Sequence, residues 1–342
     1  MPPPRSGGGG LAAAFTIVGV FIVVGLLVAT GFAASSSDSS TTAYTSTYTP
    51  SYTYSSSPSP TSSYSSSPTT TSRTASTTTY RSTTTYRSTS TRRTTTSTTP
   101  AGPKPVAALA TNPLFAHSDT GLNNNACVMP PWAPNVAAAR TYFEAASECL
   151  GGMWQAMLTY ENLPFSPPGL SVTATAAEAV SPCSTGGSSF AAFYCPMNKT
   201  IYMPLDSFMK NQDPYDYIVF MRTFAHEYGH HVEALSGIMR KAHDDMYDAG
   251  HTSPLGLELS RRLELGAQCF SGMFITSAIV AGTYTPAQGQ RAINDSYDRG
   301  DQPGDARDHG TPAHYGGWFE VGFHNNRTQK CNTWAASSAD VA

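Results

Sequence analysis

Two histidines four residues apart, with a glutamate directly after the first, stand at His226-Glu227-Tyr228-Gly229-His230. If the stretch from Tyr215 to Leu235 is helical, residues four apart lie one turn above each other, and two imidazoles on that face can share one metal ion. The spacing predicts a zinc site. Glu227 projects about a quarter turn from the histidines, close enough to take a proton from metal-bound water but not aimed to be a ligand. That is where a general base belongs. Ile218, Met221, Phe224, Ala225, Val232 and Leu235 fall on the opposite side, so the helix is expected to bury its back and turn its histidines toward a cleft. Gly229 costs about 1 kcal/mol relative to alanine in mid-helix, which points to a close backbone approach or is incidental. Because a five-residue pattern is common, ordinary histidines on a solvated helix face are the alternative.

A catalytic zinc takes three protein ligands and keeps one position open. The longer pattern HExxHxxGxxH would need a glycine at 233 and a histidine at 236, but Glu233 and Ser236 stand there, which excludes that ligand set. The other route is a glutamate from a later helix. Residues Leu257 to Ala281 predict one, with Ser260, Glu264, Gln268 and Ser271 on one face and Leu259, Leu263, Phe270 and Met273 on the other. Glu264 is the expected third ligand. Its competitor is Glu258, about a third of a turn off the polar face, and a merely solvated Glu264 is the plain alternative.

Other elements must hold these residues in place. A helix is expected from about Val136 to Leu158, its apolar face interrupted near Gly151-Gly152, and ended by Pro164, Pro167 and Pro168. Phe190 to Leu205 reads as a hairpin around Pro196-Met197-Asn198-Lys199. Such a strand either pairs with an extended peptide substrate or is purely structural. All six cysteines lie beyond residue 105; of the 15 connectivities six cysteines allow, nearest-neighbour pairing selects Cys127 to Cys149, Cys183 to Cys195 and Cys269 to Cys331. Asp295, Asp298, Asp301, Asp305 and Asp308 do not match an EF-hand and read as a solvated acidic loop.

The front of the chain has a different composition. Residues 1–10 read as a cytoplasmic tail, and 11–33 as an uncharged span long enough to cross a bilayer, where about 20 apolar residues suffice. Arg5 before the span orients the rest outside the cytoplasm. A signal anchor is favoured over a cleaved signal peptide, whose apolar core runs to only about 7–15 residues; cleavage would make the protein secreted. Residues 34–104 are almost wholly Ser, Thr, Tyr and Pro and read as a disordered stalk. Residues 105–342 are the folded domain. With a net charge of -3 and 13% charged residues, the chain lacks the basic surface of a nucleic-acid binder.

Several motifs in order, FYCP at Phe193 to Pro196, IYMPLD, AHEYGHHV at Ala225 to Val232, RLELGAQCFSG at Arg262 to Gly272 and HGTPAHYGGWFEVGF from His309, resemble the bacterial neutral zinc metallopeptidases. The resemblance implies an α+β, zincin-like domain that cleaves peptides or proteins, with Zn2+ on His226, His230 and Glu264 and Glu227 as catalytic base. Where that family usually reads ELQADC, this chain reads ELGAQC, so Gln268 replaces an aspartate expected to hold a ligand histidine by its other ring nitrogen. His309, at the head of the last motif, is the candidate oxyanion donor, ahead of His314 and Tyr315; fixing the loop before Trp318 and Phe319 is its alternative role. His231 is expected at the surface or behind the ligands, and His117, His243, His251 and His324 carry no partner spacing. Beside the peptidase stands a second reading, a stalked surface binding or scaffold protein with a structural or vestigial zinc site.

Overall fold

Helix α1 (Val136–Tyr160) begins at Asn135, whose side chain accepts from the Ala138 N–H and so caps the first turn. As expected it is one helix, and it passes through Gly151-Gly152. Leu150, Met153, Trp154, Met157 and Leu158 around the glycines are all buried, and at about 1.5–3 kcal/mol for each large apolar side chain this outweighs the glycine cost. The helix ends before Pro164, at Asn162 with a positive φ of 54°. The coordinates are a computed structural model and describe residues 102–184 and 191–342. The expected membrane span, and the stalk apart from Gly102, Pro103 and Lys104, lie outside the described residues.

A small sheet follows. Strand β2 (Phe193–Cys195) pairs antiparallel with β3 (Thr200–Pro204), which is the expected hairpin, with Phe193 opposite Tyr202 and their rings stacked at 4.6 Å. Strand β1 (Gly169–Thr173) pairs parallel with the other edge of β3. Its five residues, only one of them buried, carry too little alternation to be read from sequence. After the short helix α2 (Leu205–Phe208) the chain is helical: α3 (Tyr217–Ser236), α4 (Ile238–Ala249), α5 (Pro254–Val280), α6 (Pro286–Tyr297) and α7 (Pro312–Asn325). The architecture is α+β, rich in helix.

The core lies where α1, α3, α5 and α7 meet. Phe143 of α1 stacks on Phe224 of α3 with ring centres 5.0 Å apart, and Trp154 meets Phe270 of α5 edge-on at 5.2 Å. Helix α5 is long and apolar enough to cross a membrane but is mostly buried inside the fold, so it is a core helix. Among the described residues the cysteines pair as nearest neighbours predict: Cys127 with Cys149, Cys183 with Cys195, and Cys269 with Cys331. The last bridge fastens α5 to the segment after α7.

Candidate metal centre

Helices α3 and α5 touch at Gly229 and Ala267. A Cβ on Gly229 would stand 2.9 Å from both the Cα and the carbonyl oxygen of Ala267, so the mid-helix glycine is required by close approach. This contact sets His226 and His230 against Glu264, which lies one turn before Ala267. The expected open cleft is not what the histidines face. Nearly every residue of α3 is buried, and His226, His230 and Glu264 are at most 1% exposed, because α5 and the sheet cover the faces that α1 does not.

The two imidazoles meet on a single oxygen. His226 Nε2 lies 3.2 Å and His230 Nε2 3.3 Å from Glu264 Oε2. Two donors held by one tetrahedral zinc at 2.0–2.1 Å stand roughly 3.3 Å from each other, so the spacing and the His, His, Glu donor set fit that ion. Among the described residues no fourth His, Cys, Asp or Glu joins this buried cluster. Glu258, the competitor, is elsewhere: its carboxylate accepts from Arg262 at 2.7 Å and from Ser338 at 2.9 Å. Burial disfavours charge on Glu264, but His230, His309 and the hydrogen bonds to His226 and His230 together outweigh it and hold the carboxyl well below its usual range. Glu227 has the opposite balance, and burial pushes it up to about 7. Its carboxylate is buried, and a backbone hydrogen bond from Tyr194 offsets part of that rise.

The far ring nitrogens have unlike partners. His226 Nδ1 meets Gln268 Oε1 at 3.2 Å, the contact anticipated for Gln268. The same oxygen accepts from Arg222 Nη1 at 3.1 Å, and the amide nitrogen donates to Ser296 Oγ at 3.0 Å. Arg222 is fully buried and pairs with Asp295 at 2.9 Å, and Asp295 also pairs with Arg299 at 2.9 Å. His230 Nδ1 instead meets a carboxylate, Glu233 Oε2, at 2.9 Å. Sequence reading took Glu233 only as a mismatch to a longer motif; its spacing of three from His230 on one helix was the signal that would have found it.

The remaining candidates separate clearly. His309 sits in the loop before α7, with Nδ1 2.7 Å from Asp308 Oδ1. Burial would lower its pKa, but Asp308, Glu264 and Asp301 together raise it well above the ordinary value, which keeps a positive charge near the ligands. His314 is bonded to the carbonyl oxygen of Ala342 at 2.6 Å and to Thr311, a tie between α7 and the last residues. Tyr315 is buried with its ring 5.9 Å from that of His226. His231 is buried, not at the surface: Nε2 donates to the Ser166 carbonyl at 2.7 Å and Nδ1 accepts from Tyr194 at 3.0 Å, tying α3 to β2. The acidic stretch is not simply solvated. Asp295 is a buried ion-pair centre, and Asp301 accepts from the backbone N–H groups of His309 and Gly310.

Comparison with known proteins agrees with this centre. The family described as "Putative neutral zinc metallopeptidase" matches residues 144–334, which take in both histidines, Glu227, Glu264 and His309. The uncharacterized protein YpfJ of Escherichia coli K12 is 31% identical over 173 residues, 45% of this chain and 58% of that protein. The uncharacterized protein Rv2575 of Mycobacterium tuberculosis H37Rv is 26% identical over 184 residues, 45% of this chain and 59% of that protein. The chain thus spans less than two thirds of the length of these relatives. No solved structure matches it. With the family match covering more than half of the chain and reaching across both helices that bring the donor atoms together, this protein belongs to the neutral zinc metallopeptidase family.

Proposed function

We propose that the chain is a zinc-dependent peptidase in which His226, His230 and Glu264 hold the ion and Glu227 is the general base. One observation carries the reading: both imidazoles meet on one Glu264 oxygen at 3.2 and 3.3 Å, with the buried Glu227 carboxylate close enough for His230 and Glu264 to act on its charge. The ion, when bound, supplies Lewis acidity toward a carbonyl oxygen and a water molecule. Glu227 takes the proton of the attacking water and passes it to the leaving amine, and a pKa raised to about 7 suits a group that must do both near neutral pH. His309, held cationic by Asp308 and Asp301, offsets the negative charge that develops on the carbonyl oxygen. β2 is an edge strand beside α3 and is suited to hold an extended peptide by β-addition.

Residues 11–33 anchor the protein, 34–104 form a stalk and 105–342 form the catalytic domain outside the cytoplasm, a placement supported by three disulfides. Substrates are peptides or proteins. Glu227→Gln is the direct test: zinc content and melting temperature stay at wild-type levels, while hydrolysis of a broad peptide library falls about 10²–10⁴-fold. Retained hydrolysis excludes Glu227 as the base. Stoichiometric zinc in the wild-type chain with no cleavage at any pH favours the binding or scaffold reading instead.

A further inference from the structure

We propose that Glu233 supplies the negative charge that steadies the histidine pair of this centre, and that Gly266 provides the space for it. The inference rests on the zinc reading above. A carboxylate bonded to the far nitrogen of a ligating imidazole fixes the ring and raises its basicity. Here only one of the two histidines has such a partner. His226 leans on the neutral Gln268 amide, whose oxygen is shared with the Arg222 guanidinium at 3.1 Å and is a weaker acceptor for that reason. Arg222 is matched by Asp295, which also serves Arg299, so no negative charge is left over on that side. On the other side Glu233 Oε2 lies 2.9 Å from His230 Nδ1.

Its placement depends on a neighbour from the other helix. A Cβ on Gly266 would stand 2.9 Å from Glu233 Oε1, so a larger residue at 266 forces the carboxylate that meets His230 to shift. The two departures in ELGAQC therefore belong together: the charge absent at 268 is found at 233, and the space it needs is opened at 266. Glu233 and Glu264 also balance a divalent cation. Glu233 is only 1% exposed, so its charge requires a compensating cation beside it.

The test is the zinc dissociation constant of the full chain, measured by chelator competition, with the melting temperature of the metal-free form alongside. Glu233→Gln is expected to weaken zinc binding about 10–100-fold with the metal-free melting temperature kept. Gly266→Ala is expected to do nearly the same, and Gly266→Ala with Glu233→Gln to be no weaker than Glu233→Gln alone, because Gly266 acts through Glu233. Adding Gln268→Asp to Glu233→Gln is expected to recover most of the loss by placing an anion on His226. Zinc affinity of Glu233→Gln within about twofold of wild type, or independent losses at 233 and 266 that add within the same margin, overturns the inference and leaves the zinc reading intact. A wild-type chain that binds no zinc overturns both.

Discussion

The α3–α5 helix pair and the loop before α7 both bring groups to the same centre, but they hold them by different means. His226, His230 and Glu264 are positioned by backbone packing, with Gly229 seated on Ala267 and the buried Arg222 and Asp295 locking α3 to α6. His309 is positioned by a network of hydrogen bonds. Asp301 accepts from His309 N at 3.1 Å and Gly310 N at 2.7 Å, and Arg261 of α5 donates to the Arg307 carbonyl at 2.7 Å. The difference separates two jobs. Ligands must stay within a few tenths of an ångström of their places, which a close-packed interior enforces, whereas a group that meets a substrate needs a rigid base and some exposure.

Substitutions that disturb the packing of the helix pair are therefore expected to cost stability and metal together, and substitutions in the loop to cost activity alone. The largest effect is predicted for Asp295→Ala, which leaves the buried Arg222 without its closest anion: about 3–5 kcal/mol of stability lost, read from urea unfolding. His309→Gln is expected to lower kcat by roughly 10²–10³-fold, about 2.7–4 kcal/mol of barrier, with zinc content and unfolding midpoint unchanged. A loss of zinc in that variant would remove the distinction between the two regions.

Acid provides a third way to probe the helix pair. Burial lowers His231 from 6.5 to about 4, so between those values the unfolded chain binds the proton and the native chain does not. Stability from neutral His231 is full above pH 6.5 and is lost as pH falls toward 4, on the order of 3 kcal/mol. Metal-free wild type should lose more stability than metal-free His231→Asn between pH 7.5 and 4.5, and equal losses would remove His231 from the account. The smallest effect is expected from Gly229→Ala, whose methyl meets the Ala267 backbone: about 1–3 kcal/mol of strain, with zinc binding weakened in the same variant as the helices part.

Much of the scaffold was legible because it rests on local rules. Apolar periodicity marked α1, α3 and α5, turn chemistry marked the hairpin, and proximity in the chain paired the cysteines. Helical spacing also singled out the candidate site residues, the two histidines, Glu227, and Glu264 over Glu258, and the structure brings the two histidines and Glu264 together. The continuity of the buried face of α1 past Gly151 was not legible, since the packing that closes it comes from other helices. Asp295 read as part of a solvated loop, and only its partner Arg222, far away in sequence and buried on α3, makes it an interior group.

By itself the sequence determined which residues are candidates for the chemistry, because spacing on a helix depends only on a fixed rise and turn per residue. The tertiary structure alone decided how they are supported: that the histidines face an interior, that Gly229 meets Ala267, and that the carboxylate behind His230 comes from Glu233 with room left by Gly266. Those are contacts between helices. Their existence depends on side-chain volumes meeting across a packed interface, which no single segment encodes.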